Sequence, residues 1–430
     1  MNSSEIFISL DIGTSNIKVI IGEMSDDNFN VIGVGNAKSE GIKKGSIVDI
    51  DETVRSIKKA VEQAERMVGL QINSVIVGIT GNHIQLQPCH GVVAVSSDDR
   101  EIRDEDITRV IDAAQVMSIP PEREIIDVIP REFIVDGLGE INDPRGMIGV
   151  RLEMEGILIT GAKTILHNVL RCVERAGLEV ADICLQPLAA GTVALNRDER
   201  NLGVALVDMG AGSTTLTIFD QGSIHFTKAL PIGGDFVTKD ISIGLRTTTD
   251  DAEHVKVKNG HAFIDMASEE ESFNVARIGS SDEQEFNQYE LSHIIEPRMA
   301  EIFDLILEEL RRNGYHELPG GFVLTGGVAS MPGVLELARE ILDHNVRVAL
   351  PDYIGVRESQ YTTGVGLIQF TFKNVKVQGK EVAASISEDH PSEEQEPVKK
   401  RRNTEQRVEK DKNKPGVKNR MKDWFGTFFE

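Results

Sequence analysis

Cysteine is scarce in this chain, with three in 430 residues, and Cys89, Cys172 and Cys184 are too scattered to form a CxxC pair. That spacing excludes a disulfide framework and a thiolate zinc site, and it fits a reduced, cytosolic setting. His83 and His90 lie near Cys89, but no helical or turn spacing joins the three as metal ligands, so they read as structural residues. No run approaches the roughly eighteen apolar residues of a spanning helix, so any membrane contact has to be peripheral. Met1 to Glu5 is polar and a strand pattern follows at once, which reads as a start without a cleavable signal. Basic residues are outnumbered, 46 Lys and Arg against 69 Asp and Glu, for a formal charge of −23. Nucleic-acid surfaces need clustered cations, so broad nucleic-acid binding is excluded.

What the chain does have is a repeated turn. Leu10-Asp11-Ile12-Gly13-Thr14-Ser15-Asn16-Ile17-Lys18 lies between two apolar runs, Ile6 to Leu10 and Ile17 to Ile21, that pair as a hairpin. At its tip Gly13 admits close backbone approach by an anion, Thr14, Ser15 and Asn16 supply donors, and Lys18 supplies a charge. Asp11 would repel a phosphate unless a divalent cation lay between them, so the pattern points to a nucleotide with magnesium. The same layout returns at Val204 to Ile218, where Asp208-Met209-Gly210-Ala211-Gly212-Ser213-Thr214 separates two apolar runs. A duplicated half-domain with an acid and a donor-rich loop in each half predicts a cleft in which two turns grip one polyphosphate from opposite sides.

A chain of 430 residues exceeds one compact core and divides into several domains or subdomains. Asp51 is the expected cap of a helix reaching Met67 with Gly69 as its stop, and Val54, Ile57, Val61, Ala64 and Val68 give that helix one apolar face. Val75 to Thr80 reads as a buried strand. From Ile84 to Ala162 the pattern fits a small mixed insertion: strands at Val92–Val95, Ile125–Val135 and Leu152–Thr160, a helix from Asp104 to Met117, and a Gly, Asn and Pro-rich loop between the last two strands. A helix over Lys163–Ala176, a strand over Glu179–Cys184 and a helix opened by Pro187 connect to the second half at Gly203. Gly233 and Gly234 stand at the start of another helix, which would offer an anion its positive end. Asp250 to Asn287 reads as a short helix, small strands and loops, and Tyr289 to Arg312 as a long helix with Pro297 near its first turns. The Gly326-Gly327 pair ends a strand and leaves bare backbone for a purine or ribose, and Thr362 to Gly366 has the small residues of a tight helix contact.

Beyond Phe372 the composition changes to acidic residues with Ser and Pro, then to Lys and Arg from Lys399 to Lys414, with too little apolar surface to fold. After Pro415 and Gly416, the residues Val417, Met421, Trp424, Phe425, Phe428 and Phe429 fall on one helical stripe of about 140°. The chain's single tryptophan sits here among cations, as expected of an interfacial helix on anionic lipid.

Loop, connector, second loop, double glycine and terminal connector, in that order, resemble the actin, Hsp70 and sugar-kinase superfamily. Within it the insertion, the segment Ile294-Ile295-Glu296-Pro297-Arg298, the motif Leu324-Thr325-Gly326-Gly327 and the tethered end resemble FtsA, a family of bacterial actin-like cell-division proteins. The resemblance implies an α/β fold with two actin-like lobes, a duplicated core and an inserted small α/β subdomain, followed by a disordered tail and a terminal amphipathic helix. The boundaries are then 1–83 and 163–202 for the first lobe, 84–162 for the insertion, 203–372 for the second lobe with a partner-binding subdomain, 373–414 for the linker and 415–430 for the membrane helix. ATP would be held by Gly13, Thr14, Ser15, Asn16, Lys18, Gly210, Gly212, Ser213 and Thr214, with Gly233, Gly234, Gly326, Gly327 and Val328 around the nucleoside. Asp11 and Asp208 would organise Mg2+ and its waters, and Gln186 stands where related ATPases place a water-orienting side chain.

The resemblance further implies filaments of the chain itself, binding of the C-terminal peptide of FtsZ with Arg298 as the candidate contact, docking of later division proteins, and a place on the cytoplasmic face of the membrane at the septum. A neutral Gln186, and Thr215 where actin carries a histidine, make ATP hydrolysis slow or absent. The alternative is a small-metabolite kinase of the same superfamily, which would need a catalytic aspartate facing a second pocket. The tail yields its own test: the intact chain should pellet with anionic vesicles and a chain ending before Pro415 should stay in the supernatant, whereas equal pelleting removes the anchor.

Overall fold

The computed structural model describes residues 5–25, 28–279, 283–378 and 386–387. The terminal helix, with Val417, Met421, Trp424, Phe425, Phe428 and Phe429, lies outside the described residues, as does nearly all of the charged linker.

The first apolar runs form β1 (Glu5–Ile12), β2 (Asn16–Ser25) and β3 (Asn28–Lys38), an antiparallel meander in which Leu10 pairs with Val19. A short hairpin of β4 (Ile42–Lys43) and β5 (Ser46–Ile47) leads to α1 (Ile50–Val68). Its cap is Asp49 rather than the expected Asp51: the Asp49 carboxylate accepts from the Glu52 amide at 3.0 Å, and Asp51 falls in the first turn. Gly69 closes the helix in the left-handed region, as its position predicted. After β6 (Gln71–Ile72) comes β7 (Ser74–Ile79), buried along its whole length because it lies inside the sheet with both faces covered.

The insertion follows as β8 (Gln85–Ala94), α2 (Asp104–Ala114), β9 (Arg123–Val135), β10 (Leu138–Ile141) and β11 (Arg151–Ala162). Its strands form a separate sheet in the order β10-β9-β11-β8, with a core that includes Ile107, Val110, Phe133 and Met154. Three expectations change here, the first being that the strand expected at Val92–Val95 already begins at Gln85 and ends at Ala94. The helix ends at Ala114, three residues short of Met117, and the segment read as loop contributes β10, a four-residue edge strand too short to announce itself by alternation.

The chain returns through α3 (Lys163–Arg175), β12 (Glu179–Leu185) and α4 (Gln186–Ala194), completing a first sheet of order β12-β7-β1-β2-β3. The second lobe begins with α5 (Arg197–Leu202), β13 (Val204–Met209), β14 (Thr214–Asp220) and β15 (Ser223–Leu230). It continues with α6 (Gly234–Leu245), α7 (Thr249–Asn259), the hairpin β16 (Ser272–Ala276) and β17 (Glu283–Asn287), and α8 (Gln288–Arg312). Pro297 sits in the third turn of α8, deeper than expected. β18 (Phe322–Thr325), α9 (Val334–Leu342), β19 (Val346–Val348) and α10 (Thr362–Gln378) follow, and β20 (Ile386–Ser387) pairs with β6. The second sheet runs β15-β14-β13-β18-β19. Each sheet is thus an antiparallel meander whose first strand pairs in parallel with a fourth, and that with a fifth, so the duplication seen in two short motifs extends over both lobes.

The apolar residues Val365, Leu367 and Ile368 of α10 pack with Phe7, Ile20 and Ala189, and the helix runs past the composition change at Phe372 to Gln378, where Asn374 and Gln378 donate to Asp127 of β9 at 3.2 and 3.4 Å. α10 and α4 meet backbone to backbone at Gly366, where an added Cβ would lie 2.0 Å from the Ala189 carbonyl oxygen. A Gly366→Val chain should therefore lose about 3 kcal/mol of stability, read as a lower urea midpoint, whereas wild-type stability would mean the helices can part without cost.

Candidate nucleotide site

The two repeated turns adopt one geometry. In the first, the Gly13 amide donates to the Asn16 carbonyl at 3.1 Å; in the second, the Gly210 amide donates to the Ser213 carbonyl at 3.0 Å. Their tips touch, since a Cβ on Gly212 would stand 2.6 Å from Thr14 Oγ1. Below them is a cavity of about 550 Å3, within the usual range for a small-molecule site, lined by residues of both lobes.

Gly13, Thr14, Ser15, Asn16, Lys18, Gly210, Gly212 and Ser213 all line this cavity, together with Gly234, Gly326, Gly327 and Val328. Two expected ligands do not. Thr214 is fully buried and its hydroxyl donates to the Ile232 carbonyl at 2.9 Å, because inward-facing positions of β14 belong to the sheet core; Thr215, the next residue, lines the cavity instead. Gly233 is pressed under the second turn, where a Cβ would meet the Gly210 carbonyl oxygen at 2.4 Å. The start of α6 is likewise spent on that turn: the Gly234 amide donates to Gly210 at 3.0 Å and the Asp235 amide to Ala211 at 2.8 Å. Those two amides brace the loop and are not available to an anion.

Both acids face the cavity. Asp11 accepts from Gln186 Nε2 at 2.9 Å and stands 3.5 Å from the Lys18 ammonium. Asp208 accepts from the Thr363 hydroxyl at 3.3 Å, and burial together with the negative charge of Asp11 pushes its carboxyl up to about 6, against the opposing pull of Lys18 and Thr363. This donor set fits a hard divalent cation. Magnesium keeps most of its waters and needs only one or two protein carboxylates when phosphate oxygens supply the rest. Gly326 is required at Asp208, because its φ is +88° and a Cβ would lie 2.4 Å from Asp208 Oδ1. The neighbouring Gly327, which also lines the cavity, has open space around it, with the nearest contact of an added Cβ the Gln360 Cβ at 4.0 Å.

Several lining residues escaped the sequence analysis. Lys256 of α7 is buried, its ammonium donating to the Gly234 carbonyl at 3.2 Å, Thr238 Oγ1 at 2.8 Å and Glu253 Oε2 at 2.6 Å, and Glu253 lines the same wall. The Glu-x-x-Lys spacing was the available signal, hidden in a segment read only as acidic and weakly periodic. Glu358, Ser359, Gln360 and Thr363 close the opposite side. His83 lines the first-lobe end, its imidazole held neutral at a value lowered to about 4 by burial and by nearby Arg123. Cys89 is buried and His90 is exposed beside Glu153 at 3.2 Å, so these neighbours point to opposite faces of β8. Among the described residues no group of three or more His, Cys, Asp or Glu is placed to hold a metal.

Arg298 lies on α8, away from the cavity. Its guanidinium binds both oxygens of Asp240 on α6, at 2.6 and 3.2 Å, and also pairs with Glu301.

The raised Asp208 value has a thermodynamic sign. Above pH 6 the folded chain carries a charge it disfavours; the penalty shrinks as pH falls toward the ordinary carboxylate value near 4, below which folded and unfolded forms are both protonated. Without nucleotide, Asp208→Asn should be more stable than wild type by about 2 kcal/mol at neutral pH, converging on it near pH 4. Parallel unfolding curves across that range would contradict the shift.

Comparisons with known proteins give the family and the fold. Residues 205–366 match the model of cell division protein FtsA, and residues 81–160 match the SHS2 domain inserted in FTSA. The chain is 61% identical to the cell division protein FtsA of Bacillus subtilis over 389 residues, covering 90% of this chain and 88% of the relative. It is 46% identical to that of Enterococcus hirae, covering 86% and 84%, and 34% identical to that of Escherichia coli, covering 85% and 90%. Among solved structures, a PilM–PilN type IV pilus biogenesis complex aligns at TM-score 0.59 and 15% identity, covering 85% of this chain and 98% of that one. MreB5 of Spiroplasma citri bound to ADP aligns at 0.53 and 14%, covering 86% and 97%. The fold is therefore actin-like, and the chain belongs to the FtsA family of cell division proteins.

Proposed function

We propose that this chain binds ATP with Mg2+ between its lobes, hydrolyses it slowly if at all, forms actin-like filaments, and tethers FtsZ to the cytoplasmic membrane at the septum through its terminal amphipathic helix. The observation that carries the reading is the contact of two turns closed by the same hydrogen bond, Thr14 against Gly212, over a cavity that also receives Asp11 and Asp208. Asp11 and Asp208 would hold the cation, which neutralises phosphate charge when bound. The hydroxyls of Thr14, Ser15 and Ser213 and the Lys18 ammonium would orient the phosphates, and Gly234, Gly327 and Val328 the nucleoside.

Slow turnover follows from the surroundings of the attacking water. Gln186 is neutral and its amide nitrogen is committed to Asp11 at 2.9 Å, so it can orient water through its oxygen but cannot take a proton. Thr215 offers no stronger base. For FtsZ, the face of α6 and α8 around Arg298 is the candidate. Because Asp240 holds that side chain bidentately, charge reversal there would disturb the helix pair as well as any peptide contact. Later division proteins would dock on the insertion.

The test is a titration with a fluorescent ATP analogue, with and without magnesium, beside a turnover assay. Binding should be strengthened by magnesium, weakened roughly tenfold or more by Asp208→Ala, and accompanied by turnover well below about 1 per second. Failure to bind, or fast turnover abolished by Asp208→Ala, would overturn the reading.

A further inference from the structure

The β4–β5 hairpin borders the cavity on its phosphate-turn side. Lys44 and Gly45 at its tip have φ of +49° and +73°, and Lys43 pairs with Ser46 across them. Two successive positive values define the tight two-residue turn that matches strand twist, so the tip is a stiff projection and not a slack loop. It rests on both phosphate-side turns. The Gly45 amide donates to Thr14 Oγ1 at 3.1 Å, a Cβ on Gly212 would come within 3.0 Å of Lys44 Cα, and one on Gly45 within 3.7 Å of Ser213 Oγ. Ile42, Gly45, Ser46 and Ile47 form part of the cavity wall.

From this tip the exposed Lys44 side chain leaves the first lobe and reaches the second. Its ammonium lies 5.4 Å from the ring centre of Phe236 on α6. The same ring takes the Arg298 guanidinium at 5.8 Å, and Arg298 is anchored to Asp240. The aromatic acceptor is thus held from α8 and does not simply follow the lysine.

We infer that the β4–β5 hairpin is a latch on the cleft, in which Lys44 positions the hairpin over the phosphate turns by closing on Phe236 and so slows release of bound nucleotide. The inference rests on the nucleotide reading above and adds the residues that retain the ligand. Lys44 does not line the cavity; it acts through Gly45 and Thr14. Because an exposed cation–π contact is modest, losing it should speed release about two- to fivefold without abolishing binding. A latch of that strength retains nucleotide yet permits exchange.

The experiment measures release of a fluorescent ADP analogue with magnesium from the full chain, chased by excess ATP. Lys44→Ala, Lys44→Met and Phe236→Leu should each raise the off-rate two- to fivefold, and Lys44→Ala with Phe236→Leu should give no more than the larger single effect, because both remove one contact. Lys44→Met keeps the side-chain stem, so agreement with Lys44→Ala assigns the effect to the charge. A wild-type off-rate in the lysine variants overturns the latch, as does a double variant whose effects multiply, the pattern of a lysine that touches phosphate directly. A wild-type chain that takes up no analogue removes the nucleotide reading and the latch together; uptake with unchanged release removes the latch alone.

Discussion

Two carboxylates of like charge share one cleft, and the rest of the structure is arranged around that repulsion. Asp11 is compensated from within its own lobe by the Gln186 amide and the Lys18 ammonium. Among the described residues, the side-chain donor recorded for Asp208 is the Thr363 hydroxyl, and burial pushes the Asp208 carboxyl up to about 6. In a partly dehydrated cleft such a pair is costly by itself and is relieved by any multivalent cation bound between its members. Gly326 gives the same constraint in steric form, since any side chain there would collide with Asp208.

The duplication explains why the two acids arrive symmetrically. Each sits near the end of the first strand of its meander, and each accepts a hydrogen bond from a residue at the start of a helix: Gln186 opens α4, and Thr363 stands in the first turn of α10. Those helices then pack against each other through Gly366 and Ala189 with no side chain between them. The two acids are thus hydrogen-bonded to the first turns of two helices that are themselves in direct backbone contact.

The insertion is carried on the same frame. Its β9 and β11 strands build a sheet and core of their own, yet Asp127 of β9 accepts from Asn374 at 3.2 Å and Gln378 at 3.4 Å, both on the last turns of α10. On the other side Arg131 of β9 lies 3.5 Å from His225 of β15 in the second lobe. An added subdomain with its own core can vary its outer surface for partners while its base stays fixed by a few polar contacts.

What the sequence determined by itself was local in origin. The Asp-x-Gly turns, the apolar runs beside them, Gly69 and the order of the motifs made the duplicated core, the insertion and the acids, glycines and hydroxyls of the two cavity turns legible, because strand alternation and turn chemistry are written within a few neighbours. The shift of a cap from Asp51 to Asp49, the short β10 and the length of α10 were not legible, since each depends on which carboxylate reaches an amide or which face finds a partner. Only the tertiary structure decided that Thr214 and Gly233 turn away from the cavity, that Glu253 and Lys256 form its wall, that Arg298 is held by Asp240, and that a lysine of the first lobe lies over a ring of the second. The physical reason is distance along the chain: the Glu253–Lys256 pair is local to α7, but its place in the wall and the other contacts depend on segments tens of residues or more apart, and no local pattern records a partner that folding alone brings near.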